Sequence, residues 1–297
     1  MPTHPVPVKK DTLKRLTKLA VSMAFYSLVS TGRSLKHLLG IKNRATCVIL
    51  DYHAVSTQNR ANFAGQMDLL IRLAEPIAAD CCDSLEAGRH YVGVTFDDGL
   101  LCVIENAVPE LIRRRIPATL FIVHDLVGNR PNWTMFGEDY SDQEPIASLA
   151  DLKNLPADLF SIGSHSLSHP WLPAVTDSKA RQELVESRTK LEEATGRPVR
   201  LFSFPYGASN ERLIARCRDA GYTRVFTILP RLGLREPDEY VTGRVVVDPT
   251  DWPLEFRLKL VGAYRWLPQV FRWKRRFFPA QLAESAQPSS QARNVNL

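Results

Sequence analysis

Two short stretches of this chain carry the residue types that hold a catalytic metal: Thr95-Phe96-Asp97-Asp98-Gly99 and, further along, Gly163-Ser164-His165-Ser166-Leu167-Ser168-His169-Pro170. Two imidazoles with one carboxylate bind a divalent cation and leave positions open for water or substrate. That set consumes one Asp, so the other acid of the pair remains beside the cation as a carboxylate able to accept a proton. The i, i+4 spacing of His165 and His169 puts both rings on one side of a short turn, and Pro170 discourages a helix beyond it. A plainer reading stays open for each stretch. Asp-Asp-Gly is favoured in turns for local reasons, and the two His lie in a Ser-rich segment that suits a polar surface.

Elements that could position these groups are legible around them. Residues 92–96 form an apolar, β-branched run ending in Asp-Asp-Gly, so both acids are expected where a buried strand meets its turn. Strand ends are where active sites collect in α/β folds. Further strands are expected at 46–51, 118–123, before His165, at 200–204, and near Thr223 and Val245; helices are expected at 63–73, 103–114, 178–194 and 210–220. A polar insertion occupies 129–145. Alternating strands and helices predict a parallel sheet of the α/β class.

These residues resemble the polysaccharide deacetylases, also called the NodB-homology domain or carbohydrate esterase family 4, over about residues 46–262. The resemblance implies a distorted (β/α) barrel of about seven strands. Carried over position by position, it makes Asp97 the catalytic base and Asp98, His165 and His169 the metal ligands. A third motif of the family reads F-R-P-P-Y-G or F-A/S-Y/F-P-Y-G, and here it is Phe202-Ser203-Phe204-Pro205-Tyr206-Gly207. The connecting segment 178–222, with Gly196-Arg197-Pro198-Val199 and Ala220-Gly221-Tyr222, is similar too.

Two departures from the family pattern shape what is expected. Many relatives use an Arg of the third motif to orient the base, but Ser203 stands there, so the group that holds Asp97 must come from elsewhere. The family's late L-x-H motif, whose His is the general acid, has no counterpart, since no His follows His169. Cys47-Val48-Ile49-Leu50-Asp51-Tyr52-His53 resembles that motif displaced to the start of the domain, as in a circularly permuted Y-H-x-V subgroup, which makes His53 the expected acid. Its plainer reading is a strand-end His bonded to a neighbour. Asp248-Pro249-Thr250-Asp251-Trp252 matches the family's D-x-x-D-W motif, which tunes the acid and walls the acetate pocket. It reads equally as a helix N-terminus capped by Asp251 with Pro253 in the first turn.

The implied chemistry is hydrolysis of N-acetyl groups on amino sugars. A divalent cation, zinc by default and Co²⁺, Ni²⁺ or Mn²⁺ by the same ligands, would polarise the acetamide carbonyl and bring the pKa of water towards about 7. Asp97 would accept the water's proton, the backbone amide of Tyr206 beyond Pro205 would meet the oxyanion, and His53 would protonate the departing amine.

At 297 residues and 44% hydrophobic content, the chain can bury one large core, and α/β barrels of this size run as single domains. The expected division is a basic, partly apolar segment 1–44, a catalytic domain 45–264, and a basic, aromatic segment with a disordered tail over 265–297. Cys47, Cys81, Cys82, Cys102 and Cys217 are odd in number and lack C-x-x-C spacing, which points to thiols and a reducing compartment.

The net charge of +6 is unevenly spread. Residues 1–44 carry +8 and residues 257–297 carry +7, leaving −9 for the middle. Nucleic acid is therefore a poor partner, because nothing basic falls on the expected site. An anionic membrane suits the ends better. Residues 19–29 are apolar apart from Ser22 and Ser27 and follow Lys14, Arg15 and Lys18; they fall short of the about 20 residues a span requires. They read as an interfacial helix, as a signal-peptide core with a mediocre cleavage site at Ser30-Thr31-Gly32, or as a segment packed on the barrel. Residues 266–278 repeat the aromatic and basic mixture. The expected location is the cytoplasm, peripheral on the inner membrane face, with export by a weak signal as the alternative. An N-acetylated glycan is the expected substrate, and no protein partner is evident. Two other functions remain: a silent glycan-binding module, which has no need of a free Asp97, and a deacylase of an O-acetyl ester or non-sugar amide.

Overall fold

The computed structural model describes residues 8–131, 133 and 144–270. The expected insertion at 129–145 lies largely outside these, and the expected disordered tail wholly so. Helix α1 (Val8–Leu38) precedes β1 (Thr46–Tyr52), α2 (Arg60–Leu73), β2 (Glu75–Pro76) and β3 (His90–Phe96). There follow α3 (Val108–Arg114), β4 (Ala118–Ile122), α4 (Leu149–Lys153), β5 (Phe160–Ser164) and α5 (Asp177–Thr195). The chain continues through β6 (Leu201–Ser203), α6 (Glu211–Asp219), β7 (Arg224–Thr227), β8 (Val241–Gly243), β9 (Val245–Val246) and α7 (Pro253–Leu260). The helix expected at 103–114 opens as a π-helical turn over Val103–Ala107 before α3 begins.

The sheet runs β8-β7-β6-β5-β4-β3-β1-β9, with β2 on the start of β3. Because β8 and β9 are successive pieces of one stretch, residues 241–246 pair with β7 on one side and β1 on the other, in parallel both times. That shared stretch closes the sheet into a (β/α) barrel of seven staves, as the sequence leads one to expect. Helices cover its outside. Helix α5 is typical: Thr176 caps it by accepting from the Lys179 amide, Ala180, Leu184 and Leu191 are buried, and Gly196 ends it at φ 69°.

Period-two alternation decides what fills the barrel. Along β1, Val48, Leu50 and Tyr52 join the large outer core under the helices, whereas Cys47 and Ile49 join Phe121, Leu201 and Phe226 in a separate interior cluster. The interior is tight. A Cβ on Gly163 would stand 2.4 Å from the Phe121 ring, and one on Gly93 would stand 2.7 Å from Ile49. Continuing the inward columns towards the carboxyl ends of the strands brings Asp51 and His53 from β1, and Thr95 and Asp97 from β3. The barrel floor is thus apolar and its mouth is polar.

Helix α1 packs against α7 and the turn after it. Leu19 and Tyr26 meet Leu258, Ala263 and Tyr264; Arg15 pairs with Glu255 at 2.5 Å; and Trp266 donates to Ser22 Oγ at 2.9 Å. Among the described residues no helix is long and apolar enough to cross a membrane. All five cysteines are free.

Candidate functional site

Strand β3 ends at Phe96, and the chain turns so sharply there that Asp98 takes φ 67° and Gly99 φ 72°. A side chain on Gly99 would drive its Cβ to 2.6 Å from Ile122, so the turn that presents both acids is closed against β4. His165 leaves the end of β5. Ser166 and His169 also have positive φ, as does Tyr206, so among the described residues four of the six non-glycine residues in this region of backbone space lie around one site. Each such residue costs on the order of 1–3 kcal/mol, a strain that only a well-packed surrounding sustains.

Asp98, His165 and His169 come together, fully buried, with potential ligand atoms within 4.8 Å of one another. Asp98 Oδ1 is 3.6 Å from His165 Nε2 and 3.5 Å from His169 Nε2. These separations are long for hydrogen bonds but close to the edge of a tetrahedron of about 3.3 Å that bonds of about 2.0–2.1 Å to a cation would create. His165 Nδ1 lies 2.9 Å from the Ser203 carbonyl, which can only accept, so that nitrogen carries the proton and Nε2 offers its lone pair. Burial holds His165 neutral, pulled down to about 4, and lowers His169 as well. The three groups fit a divalent cation by spacing and charge, and His165 by tautomer as well.

Asp98 is the one ligand that must lose a proton near neutrality. Burial, opposed by His53 and reinforced by the charges of Asp97 and Asp51, pushes its carboxyl up to about 7. Its proton competes with a cation below that value, and the neutral His residues add no further dependence above it. Zinc affinity should therefore rise about tenfold per pH unit from about pH 5 to about pH 7 and then level off, with about one proton released per ion in the acid range. Calorimetric titration of Zn²⁺ in buffers of differing ionisation heat checks this; a flat profile would show that Asp98 is already ionised.

Asp97 faces a different environment. Arg244, at the break between β8 and β9, points into the barrel with no solvent exposure. Its Nη1 donates to Asp97 Oδ1 at 2.7 Å and its Nη2 to Oδ2 at 2.6 Å, a two-pronged clamp. Nη2 also donates to Ser203 Oγ at 2.7 Å, and Ser203 Oγ donates to Asp97 at 2.9 Å. Nη1 lies 3.0 Å from Asp51 Oδ1, off the hydrogen-bonding direction. Burial alone would raise Asp97, yet the charge and hydrogen bonds of Arg244, helped by His165 and His53, hold it below the ordinary carboxylate range. The guanidinium missing from the Ser203 position is therefore supplied from across the barrel. Asp51, His53 and Asp97 also approach within 4.8 Å of one another, but the Arg244 charge is already matched by Asp97, and burial pushes the Asp51 carboxyl well above the ordinary carboxylate range.

Residues 85–225 match the family model described as Polysaccharide deacetylase, a stretch that includes Asp97, Asp98, His165, His169, Pro205 and Tyr206. Over that stretch, just under half of the chain, the sequence matches a polysaccharide deacetylase domain. It is 24% identical over 212 residues to YxkH of Bacillus subtilis (strain 168), described as a candidate polysaccharide deacetylase, covering 68% of this chain and 71% of that one. It is 23% identical over 149 residues to a chitooligosaccharide deacetylase of Bradyrhizobium sp. (strain ANU 289), covering 49% of this chain and 59% of that relative. Its fold is similar to the structure of IcaB from Ammonifex degensii, at TM-score 0.60 and 26% identity, with 73% of this chain and all of that one covered. A deacetylase enzyme is therefore favoured over a silent binding module. His53 and Arg244 fall outside the family-matched stretch.

Around the deacetylase centre, aromatic rings form one wall. His169 is stacked by Trp133 at 3.9 Å and met edge-on by Tyr206 at 4.6 Å, and Trp171 stands 5.7 Å from Tyr206. Burial and then the Asp98 charge push the Tyr206 hydroxyl up to about 12, so it stays protonated. Pro205–Gly207 make a tight turn, with Tyr206 at φ 58°, that aims Tyr206 at His169. Glu183 of α5 holds the loop between the two His. Its carboxylate accepts from the Leu167 and Ser168 amides, both at 2.9 Å, and from Ser168 Oγ at 2.7 Å.

Asp248, Asp251 and Trp252 lead into α7. Asp248 accepts from Thr250, Asp251 pairs with Lys259 at 2.7 Å, and Arg15 lies over Trp252 at 4.3 Å. These contacts suit the helix-start reading of the stretch. The cap residue is Trp252, one position later than expected, with Pro253 following it, because Asp251 turns back to the Asp248 amide and Lys259. Sequence reasoning missed Arg244, Asp51, Glu183, Trp133 and Trp171. For Asp51 and Arg244 a signal existed, a titratable side chain in the middle of an apolar strand.

Proposed function

We propose that this enzyme removes N-acetyl groups from amino-sugar residues of a polysaccharide or glycan precursor by metal-dependent hydrolysis, in bacterial exopolysaccharide or cell-surface glycan metabolism. The observation that carries the reading is a neutral His pair and a buried Asp at cation-binding separations, beside a second carboxylate held ionised by Arg244. Asp98, His165 and His169 hold the ion, with zinc favoured and Co²⁺, Ni²⁺ or Mn²⁺ suited to the same donors. When bound, the cation supplies Lewis-acid activation of water and of the acyl carbonyl.

The chain's own groups do the rest. Asp97 Oδ2, 3.9 Å from His165 Nε2, accepts the proton of the attacking water. Arg244 and Ser203 fix the rotamer of Asp97 and keep it charged. The Tyr206 backbone N–H, beyond Pro205, is the donor for the developing oxyanion. His53, at the end of β1 and within reach of Asp97, protonates the departing amine. This assignment is the circularly permuted reading, in which the first strand of the barrel supplies the acid, and its support is the proximity of His53 to Asp97 and Asp51. The likeness to a chitooligosaccharide deacetylase favours N-acetylglucosamine units, and the flat faces of Trp133 and Trp171 suit a sugar ring.

Acetate release from N-acetylglucosamine oligomers tests the proposal. Activity should vanish with chelator and return with added Zn²⁺. No release despite stoichiometric bound metal would move the substrate to an O-acetyl ester or another amide, and a chain that binds no metal would overturn the reading.

A further inference from the structure

Helix α1 uses only one face. Arg15, Leu19, Ser22 and Tyr26 are turned to α7 and the turn beyond it, whereas Leu13, Leu16, Met23, Leu28, Leu35 and Leu38 are exposed, Leu28 at 74% and Leu38 at 84%. At 100° per residue these exposed side chains fall in one continuous stripe, about 38 Å long at 1.5 Å per residue. No charged residue falls within that stripe between Leu13 and Leu38; Thr17, Ser27, Thr31 and Ser34 share it, and Lys14, Lys18 and Lys36 run along one edge. An uncharged, leucine-rich face of that length with cations along its edge matches the headgroup boundary of a bilayer.

A second observation lies at the other end of the same helix. Between the C-terminal half of α1 and the barrel end where β1 begins is a cleft of about 1310 Å³. Seven basic residues line it, among them Arg33, Lys36, Arg44, Arg231, Arg235 and Arg265, against three acids. One of those acids, Glu239, is engaged by the Leu234 and Arg235 amides and by Thr242. Among the described residues none of the six named cations has an acid partner. Arg33 and Arg265 are close enough to repel: burial and then the Arg33 charge lower Arg265. Unneutralised guanidinium groups gathered in a cleft favour an anionic group such as a phosphate.

We propose that α1 docks this protein on an anionic phospholipid surface, its outer apolar stripe lying in the interface and the basic cleft holding a lipid headgroup phosphate. Charge complementarity selects this occupant, since residues 1–44 carry +8. A second copy of the chain would bring the same cations face to face. The site is remote from the metal ligands, so it works independently of the reading of the catalytic centre.

The test is co-sedimentation of the full chain with phosphatidylcholine vesicles, with and without phosphatidylglycerol. Binding should require phosphatidylglycerol and weaken as salt is raised. Leu28→Glu with Leu35→Glu should reduce partitioning at least tenfold, and Arg33→Gln with Arg44→Gln should reduce it about fivefold per cation removed. Both pairs should leave the thermal midpoint and acetate release from soluble oligomers unchanged. Equal binding to neutral vesicles, or no binding, overturns the proposal. So does self-association abolished by the Leu28 and Leu35 changes. Stabilisation by inorganic phosphate without vesicle binding would assign the cleft to a free anion and overturn it likewise.

Discussion

Asp97→Asn should lower kcat/KM for acetate release by about 10²–10⁴-fold, the usual share of a positioned general base, while leaving the metal bound. The substitution keeps the size of the side chain and one acceptor for the Arg244 clamp, but an amide cannot take the proton of the attacking water. The metal should stay because Asp98, His165 and His169 supply the donors, with Asp98 Oδ1 at 3.6 and 3.5 Å from the two imidazole nitrogens. His169→Ala provides the contrast: it should lose both metal and activity. Metal content measured beside steady-state rates separates the two outcomes. If Asp97→Asn loses the metal, Asp97 is a ligand. If it keeps a rate within about tenfold of the parent, the proton goes elsewhere, and Asp51 and His53 are the groups within reach.

The parts of this site that were legible in the sequence are those written within single strands and turns. Asp97 and Asp98 follow an apolar run, and the strand end they imply is where β3 stops. His165 and His169 share one loop, and their spacing alone brings them to one side. Closure of the barrel was not legible in that way. Residues 241–246 read as one short β-branched stretch, yet the structure splits them at Arg244 so that β8 serves β7 and β9 serves β1. The split turns the Arg244 side chain inward, and no local propensity announces it. Asp51 and Arg244 are far apart in sequence, and each alone is only a charge in an apolar strand. Their meaning is mutual, and it exists only once the sheet has curled round to bring them to 3.0 Å. The same limit applies to Trp252: its motif reads equally as a pocket wall and as a helix start, and only the fold shows it capping α7 and stacked by Arg15.

Arg244→Met follows from that pairing and should have the second large effect. It leaves Asp51 and Asp97 inside the barrel with no cation between them, a loss of about 3–5 kcal/mol when one partner of a buried ion pair is removed. Thermal or denaturant unfolding would read this directly. A purely structural Arg244 would stop there, but an arginine that sets the charge of the base must also move the pH profile. Arg244 holds Asp97 below the ordinary carboxylate range, so its removal raises that pKa, and a larger fraction of Asp97 is protonated at any acid pH. The acid limb of kcat/KM should therefore shift to higher pH in the surviving folded enzyme. Arg244→Lys keeps the charge but not the fork that grips both oxygens of Asp97, so it should recover stability more fully than rate. Adding Asp51→Asn to Arg244→Met removes one of the two buried carboxyls left without a cation and should restore part of the lost stability, a non-additivity that identifies the two side chains as one electrostatic unit. An unshifted acid limb in a folded, metal-loaded Arg244→Met would leave Arg244 as scaffolding alone.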